Sequence, residues 1–138
     1  MKKIRLHKTL VIGIGISFLI YVGSLFLPMF SDDKHSSGLL GLMLGWSGFV
    51  DHKPFMAISW TANITFLLSI LLYAMPTKRR FILSIITFGL SLFALGFEEF
   101  IFGEKGNIPG IAFFVWIFSF LTMIATFYIK WQQEKSLL

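Results

Sequence analysis

The 138-residue chain contains no cysteine. Disulfide bonds, thiolate metal sites and quinone-linked dithiol chemistry are therefore excluded, because each of them requires cysteine sulfur. Charge is also scarce, since Asp, Glu, Lys and Arg make up 14% of the residues whereas hydrophobic residues make up 56%. That balance excludes a water-soluble globule of this size.

Four long stretches contain no Asp, Glu, Lys, Arg or His: 9–30, 54–75, 81–97 and 108–129. Each is close to the ~20 apolar residues that an α-helix needs to cross ~30 Å of hydrocarbon. They are apolar on every side, whereas a helix of a soluble protein has a polar face. The sequence therefore predicts an all-α integral membrane protein, a bundle of four transmembrane helices that forms one domain over residues 1–138.

The absence of ionisable groups from these stretches also bears on function. Ion and proton pathways usually place ionisable groups within spans, and secondary carriers usually show paired repeats or broken helices. Acid–base or nucleophilic catalysis would have only Ser, Thr, Asn63 and tyrosines such as Tyr21 and Tyr73 to work with inside the spans. We therefore expect no enzyme activity, no catalytic residue, no metal and no cofactor.

The basic residues predict the orientation, because Lys and Arg near span ends stay on the cytoplasmic side. Nine of the 12 lie in alternate gaps: Lys2, Lys3, Arg5, Lys8, Lys78, Arg79, Arg80, Lys130 and Lys135. The other gaps carry most of the acids: Asp32, Asp33, Asp51, Glu98, Glu99 and Glu104. Both termini are predicted to be cytoplasmic. The net charge of +5 then describes an inner surface facing anionic lipid, and no nucleic-acid partner is expected.

One gap, residues 31–53, contains a segment at about 36–50 that is too apolar for a loop and too short for a span. We expect a short Gly-rich helix there that lies on, or re-enters, the outer face of the membrane. In a helix, Gly38, Gly41, Gly45 and Gly48 would share one face and allow close packing. Two interpretations stay open: the glycine face packs on the four-helix bundle, or it receives a partner helix or a lipid chain. Trp46 fits an aromatic belt in either case.

Two short motifs carry a resemblance to a known group of proteins. Gly45-Trp46-Ser47-Gly48 is followed by Trp60-Thr61-Ala62-Asn63 at the head of the second span. This pattern resembles small uncharacterised four-span proteins of the bacterial inner membrane, in which a Gly-Trp-x-Gly segment precedes a Trp-x-Ala-Asn-Pro motif. Ile64 stands where those proteins usually carry Pro. The resemblance covers about residues 28–75 and implies the four-span architecture and a bacterial origin, with no activity attached.

Asn63 is the most polar side chain within the predicted spans, and Trp60 lies on the same helical face. An amide at that depth needs hydrogen-bond partners, so Asn63 is expected to face the bundle or the short outer helix. It serves either as a structural link between helices or as a contact for a ligand.

The acidic outer side offers three interpretations. It is solvated loop charge, an anionic dock for a cationic partner that includes Glu98 and Glu99, or a divalent-cation site with His35 and His52. No metal-ligand spacing supports the last of these.

These observations favour a non-enzymatic interaction protein of the bacterial inner membrane. In its sharpest form it is an immunity-type or accessory subunit that recognises another membrane-active or toxin-like protein. Residues expected to bind that partner are Gly38, Gly41, Gly45, Trp46, Gly48, Trp60, Asn63, Glu98 and Glu99. The alternative is a small channel, transporter or lipid-handling subunit that acts as an oligomer. An interfacial enzyme that uses Glu98, Glu99 or His52 comes third.

Overall fold

The computed structural model of the chain describes residues 2–31, 35–96 and 108–136. Five α-helices follow one another in these ranges: α1 (Lys2–Leu25), α2 (Gly38–Leu44), α3 (Pro54–Leu71), α4 (Thr77–Leu92) and α5 (Ile111–Lys135). Short 3₁₀ turns continue α2 over Gly45–Phe49 and α4 over Phe93–Gly96. Four helices of the described part of the chain are long and apolar enough to cross a membrane. This confirms the predicted all-helical fold with four candidate membrane spans, which supports a multi-pass membrane protein.

The helices differ in their bounds from the predicted spans. Helix α1 ends at Leu25 rather than near residue 30, because Pro28 has no N–H and disfavours helical backbone in the residue before it. Helix α3 ends at Leu71, and α4 begins at Thr77, directly after Pro76. Helix α5 begins at Ile111 and continues to Lys135, past the predicted end at 129. The polar residues after 129 continue the helix, and Lys130 Nζ lies 3.6 Å from the Glu134 carboxylate one turn later.

Residues 27–31 form an extended stretch that holds two other segments in place. On one side, the Met29 amide donates to Ser36 O (2.7 Å) and the Gly38 amide donates to Leu27 O (2.9 Å). On the other side, the Gly110 amide donates to Met29 O at 2.7 Å. The break in α1 therefore fixes where α2 and α5 start.

Close helix contacts depend on small residues. Helices α1 and α5 pack along one another, with Gly13 against Thr126 and the Ser17 hydroxyl donating to Ser119 O at 2.6 Å. Helix α3 packs on α4, where the Thr65 and Thr87 hydroxyl oxygens lie 2.8 Å apart. Without water, membrane helices associate through such close packing and through hydrogen bonds between helices. The order around the bundle is α1, α5, α4 and α3.

The core is aromatic. Its buried members are Tyr21, Ala62, Phe66, Phe120, Met123 and Phe127. The ring of Phe66 lies 4.8 Å from that of Tyr21 and 5.2 Å from that of Phe120, centroid to centroid. These rings fill the space between α1, α3 and α5 at mid-height.

Arg80 lies near the start of α4 and is 4% exposed. Its Nε donates to Ser69 O at 2.9 Å, its Nη2 donates to Ile70 O at 3.4 Å, and its Cζ lies 4.5 Å from the ring centroid of Phe127. The last carbonyls of a helix have no partner within the helix and carry partial negative charge. Arg80 therefore caps α3 and ties the α3–α4 hairpin to α5, in addition to its predicted part in orientation.

We predict that Arg80→Met lowers the free energy of unfolding by about 1–3 kcal/mol, because buried carbonyls lose their donor. Arg79→Met is the matched control, since Arg79 is exposed and also contributes one cation at the same span end. Denaturant unfolding in micelles, followed by circular dichroism, measures both. Equal losses in the two variants would contradict the capping role of Arg80.

Candidate functional site

The segment Gly38–Phe49, called the glycine segment below, comprises α2 and the 3₁₀ turn that continues it. The Ser37 hydroxyl starts it by accepting a hydrogen bond from the Leu40 amide (3.4 Å). The segment lies against the start of α3 and the end of α1. It occupies the side of the bundle where α1 and α3 are not packed along each other.

All four glycines of the segment face the protein itself. Gly38 lies against the backbone at the end of α1, and Gly41 lies against the side chain of Met29. Gly45 lies against the Trp60 ring, and Gly48 against the first turn of α3. Each of the four glycines therefore has a neighbour among the chain's own residues, which agrees with packing on the bundle.

Trp46 and Trp60, one from each of the two sequence motifs, face opposite ways. Trp60 lies beneath the glycine segment, where its Nε1 donates to Leu42 O at 2.8 Å and its ring meets Phe49 edge to face. Trp46 points outward and is 52% exposed. Trp60 thus fastens the segment to α3, whereas Trp46 belongs to its outer surface.

Asn63 joins three helices. Its Oδ1 accepts hydrogen bonds from Tyr21 Oη of α1 (3.0 Å) and from Trp116 Nε1 of α5 (2.9 Å). Its Nδ2 donates to Trp60 O within α3 at 3.2 Å. The indole N–H can only donate, so it fixes which end of the amide faces the rings. Asn63 therefore acts as the structural link that the sequence suggested, whether or not it also contacts a ligand.

Sequence reasoning found Asn63 but missed both of its donors. Tyr21 was noted only as a polar group in the first span, and Trp116 was not singled out. A usable signal was present, because a buried Tyr O–H or Trp N–H usually finds a hydrogen-bond partner. An amide in an adjacent apolar span is the natural acceptor, although only the packing shows which rings reach it.

A cavity of about 100 Å³ lies beside this cluster, between the glycine segment and helices α1, α3 and α5. Five predicted residues line it: Gly38, Gly41, Gly45, Trp60 and Asn63. Side chains that the sequence did not single out complete it, among them Met29, Met56, Phe113 and Trp116. The site is thus an apolar space in a membrane-spanning protein, with one amide in its wall.

Two other predicted residues, Gly48 and Trp46, do not line the cavity. Gly48 packs on Met56 outside its lining, and Trp46 points away from it. Glu98 and Glu99 lie outside the described residues, as do Asp32, Asp33 and Glu104. Among the side chains that the structure describes, no group of three or more His, Asp or Glu is placed to hold a metal ion.

We predict that Gly45→Ala destabilises the fold by about 1–3 kcal/mol, because the added Cβ would meet Trp60 Cδ1 at 2.5 Å. Gly89→Ala in α4 is the matched control. Its Cβ has no neighbour within 4 Å, so the change should stabilise the helix by up to about 1 kcal/mol. Thermal unfolding in micelles tests the pair, and a harmless Gly45→Ala would show that the segment is not held against Trp60.

Asn63→Leu should cost about 1–3 kcal/mol, because it leaves the Tyr21 hydroxyl and the Trp116 indole N–H buried without an acceptor. Tyr21→Phe should cost less, near the ~0.6 kcal/mol average for hydrogen bonds between membrane helices. In the double variant the tyrosine hydroxyl is no longer stranded, so the two losses should not add. Additive losses in a double-mutant cycle of unfolding free energies would contradict the pairing.

Comparison with protein-family models, with curated proteins and with solved structures finds no match to this chain. The resemblance carried by the Gly-Trp-x-Gly and Trp-x-Ala-Asn motifs stays a prediction. The geometry of the site is therefore the basis on which a function can be argued.

Proposed function

We propose that this protein is a non-enzymatic binding subunit of the membrane that takes up an apolar molecule from the bilayer in the cavity beside Asn63. The observation that carries the proposal is the cavity itself, an apolar space of about 100 Å³ with a buried amide in its wall. Binding sites for small molecules are typically concave and apolar, with a few polar groups that orient the ligand. This is the lipid-handling form of the alternative function suggested by the sequence.

The size of the cavity limits what it takes. A water molecule occupies ~30 Å³ in the liquid, and an apolar engineered cavity of ~150 Å³ holds a benzene ring. A space of about 100 Å³ therefore admits one end of a lipid molecule or a small ring rather than a whole lipid. Met29 and Met56 line it, and their flexible thioethers adapt to ligands of different shape.

The proposal includes an orientation in the bacterial inner membrane with both termini in the cytoplasm. The alternation of basic and acidic gaps supports this. The glycine segment then lies at the outer leaflet. Its outward face exposes apolar side chains that suit contact with lipid: Leu39, Leu40, Met43, Leu44, Trp46 and Phe49.

The immunity-type or accessory interaction hypothesis needs a surface other than the glycine face, because the bundle covers all four glycines. The outward face of the glycine segment is one described apolar surface that could serve, and lipid accounts for that face equally well. A channel would require Asn63 to face water, whereas its Oδ1 accepts two hydrogen bonds within one chain. The cavity therefore supports binding better than it supports either of these functions.

We predict that Ala112→Leu abolishes ligand binding, with occupancy at least tenfold below that of the wild type. Ala112 is buried and lines the cavity, so a larger side chain fills the space that the ligand needs. Ala125→Leu is the matched control, because it makes the same change on an exposed position of the same helix. Native mass spectrometry of the protein released from membranes in mild detergent measures bound small molecules in all three.

A bound small molecule in the wild type and Ala125→Leu, but not in Ala112→Leu, supports the proposal. Unfolding curves establish that the Ala112→Leu protein is folded. Equal binding by all three proteins, or none by any, overturns the proposal. Recovery of a stoichiometric protein partner in place of a small molecule would favour the interaction hypothesis instead.

A further inference from the structure

The hydrogen bonds of Asn63 indicate what the ligand must offer. A primary amide carries two N–H donors and one carbonyl acceptor. The carbonyl of Asn63 is used twice, but its nitrogen donates only to Trp60 O among the described residues. The residue is 8% exposed and lines the cavity. One N–H of this buried amide is thus without a protein acceptor among the described residues.

The rest of the lining sets the charge of the ligand. No Asp, Glu, Lys, Arg or His is among the described residues that line the cavity. The hydroxyls of Ser24 and Ser59 donate to carbonyls of their own helices, Tyr21 O at 2.6 Å and Met56 O at 3.0 Å. They offer no further donor. A buried charge without a partner is strongly disfavoured, so a phosphate or carboxylate group would not enter.

We propose, resting on the function above, that the cavity binds the acyl ester end of a membrane lipid and that Asn63 Nδ2 donates to its carbonyl oxygen. A carbonyl accepts this hydrogen bond without bringing a donor that would itself need a partner in an apolar space. The uncharged ester and its first carbons fit the cavity volume, while a charged headgroup stays outside.

The test compares two probes that differ at the carbonyl: methyl dodecanoate with a ¹³C-labelled carbonyl, and dodecyl methyl ether. Both are added to the purified full-length protein in a maltoside detergent, which has no carbonyl group. Fluorescence of Trp60 and Trp116, which line the cavity, reports binding. Infrared spectroscopy of the labelled carbonyl reports hydrogen bonding, because a donated hydrogen bond lowers the stretching frequency.

We expect the ester to bind about 3- to 10-fold more tightly than the ether, the range that one net hydrogen bond supports. We also expect the bound carbonyl to absorb at lower frequency than the free probe. Asn63→Leu should lose both effects. Tyr21→Phe should keep them, because it disturbs the same cluster but retains the Asn63 N–H. The two-probe comparison in the wild type decides the matter even where Asn63→Leu does not fold.

Equal binding of ester and ether, with an unshifted carbonyl band, would overturn the ester while leaving the proposed binding function in place. Binding of neither probe, together with no native small molecule, would overturn both. If the bound native molecule carries a carbonyl but no ester, as a ketone does, the proposal that the ligand is a lipid ester is overturned.

Discussion

The relative positions of α1, α3 and α5 beside the cavity depend on the side-chain carbonyl of Asn63. In a membrane there is no water to satisfy a tyrosine hydroxyl or an indole N–H, so each must find a partner within the protein. One oxygen on α3 serves a donor on α1 and a donor on α5. Helices α1 and α3 share few direct contacts otherwise, and the gap between them is filled by the glycine segment. The amide therefore defines the relative positions of the helices that enclose the cavity.

Other polar groups in the spans are mostly satisfied within their own helices. Ser69, Ser84 and Ser91 are buried, and each hydroxyl donates to the carbonyl three residues earlier. This removes the cost of burying the hydroxyl and leaves a small side chain that a neighbouring helix can approach closely. Hydrogen bonds between helices are reserved for a few places, including Ser17 to Ser119 and the caps made by Arg80.

The interpretation of the glycine segment follows from these contacts. Glycines at helical spacing allow close approach, but spacing does not say what approaches. Here Met29, Trp60 and the backbone at the end of α1 occupy the positions that a partner helix would need. The cavity lies between the segment and the bundle. Its uncharged lining and the remaining Asn63 N–H favour a neutral ligand that carries a hydrogen-bond acceptor.

Much of the fold could be predicted because hydrophobic length and charge are local properties of the chain. Four uncharged stretches predicted the four long helices, and their polar ends predicted the break at Pro76 to within a few residues. Helix bounds near Pro28 were less predictable, because the extended residues 27–31 are stabilised by hydrogen bonds to segments that are distant in sequence.

At the candidate site, the sequence by itself determined that Asn63 needs partners and that the glycines need a close neighbour. Each requirement follows from the residue type and the lipid surroundings alone. Only the tertiary structure decided that Tyr21 and Trp116 are those partners, that the bundle covers the glycine face, and that a cavity lies beneath it. Those outcomes depend on which helix faces meet across the bundle. A helix that is apolar on every side has too little hydrophobic periodicity for its sequence to predict which face meets which neighbour.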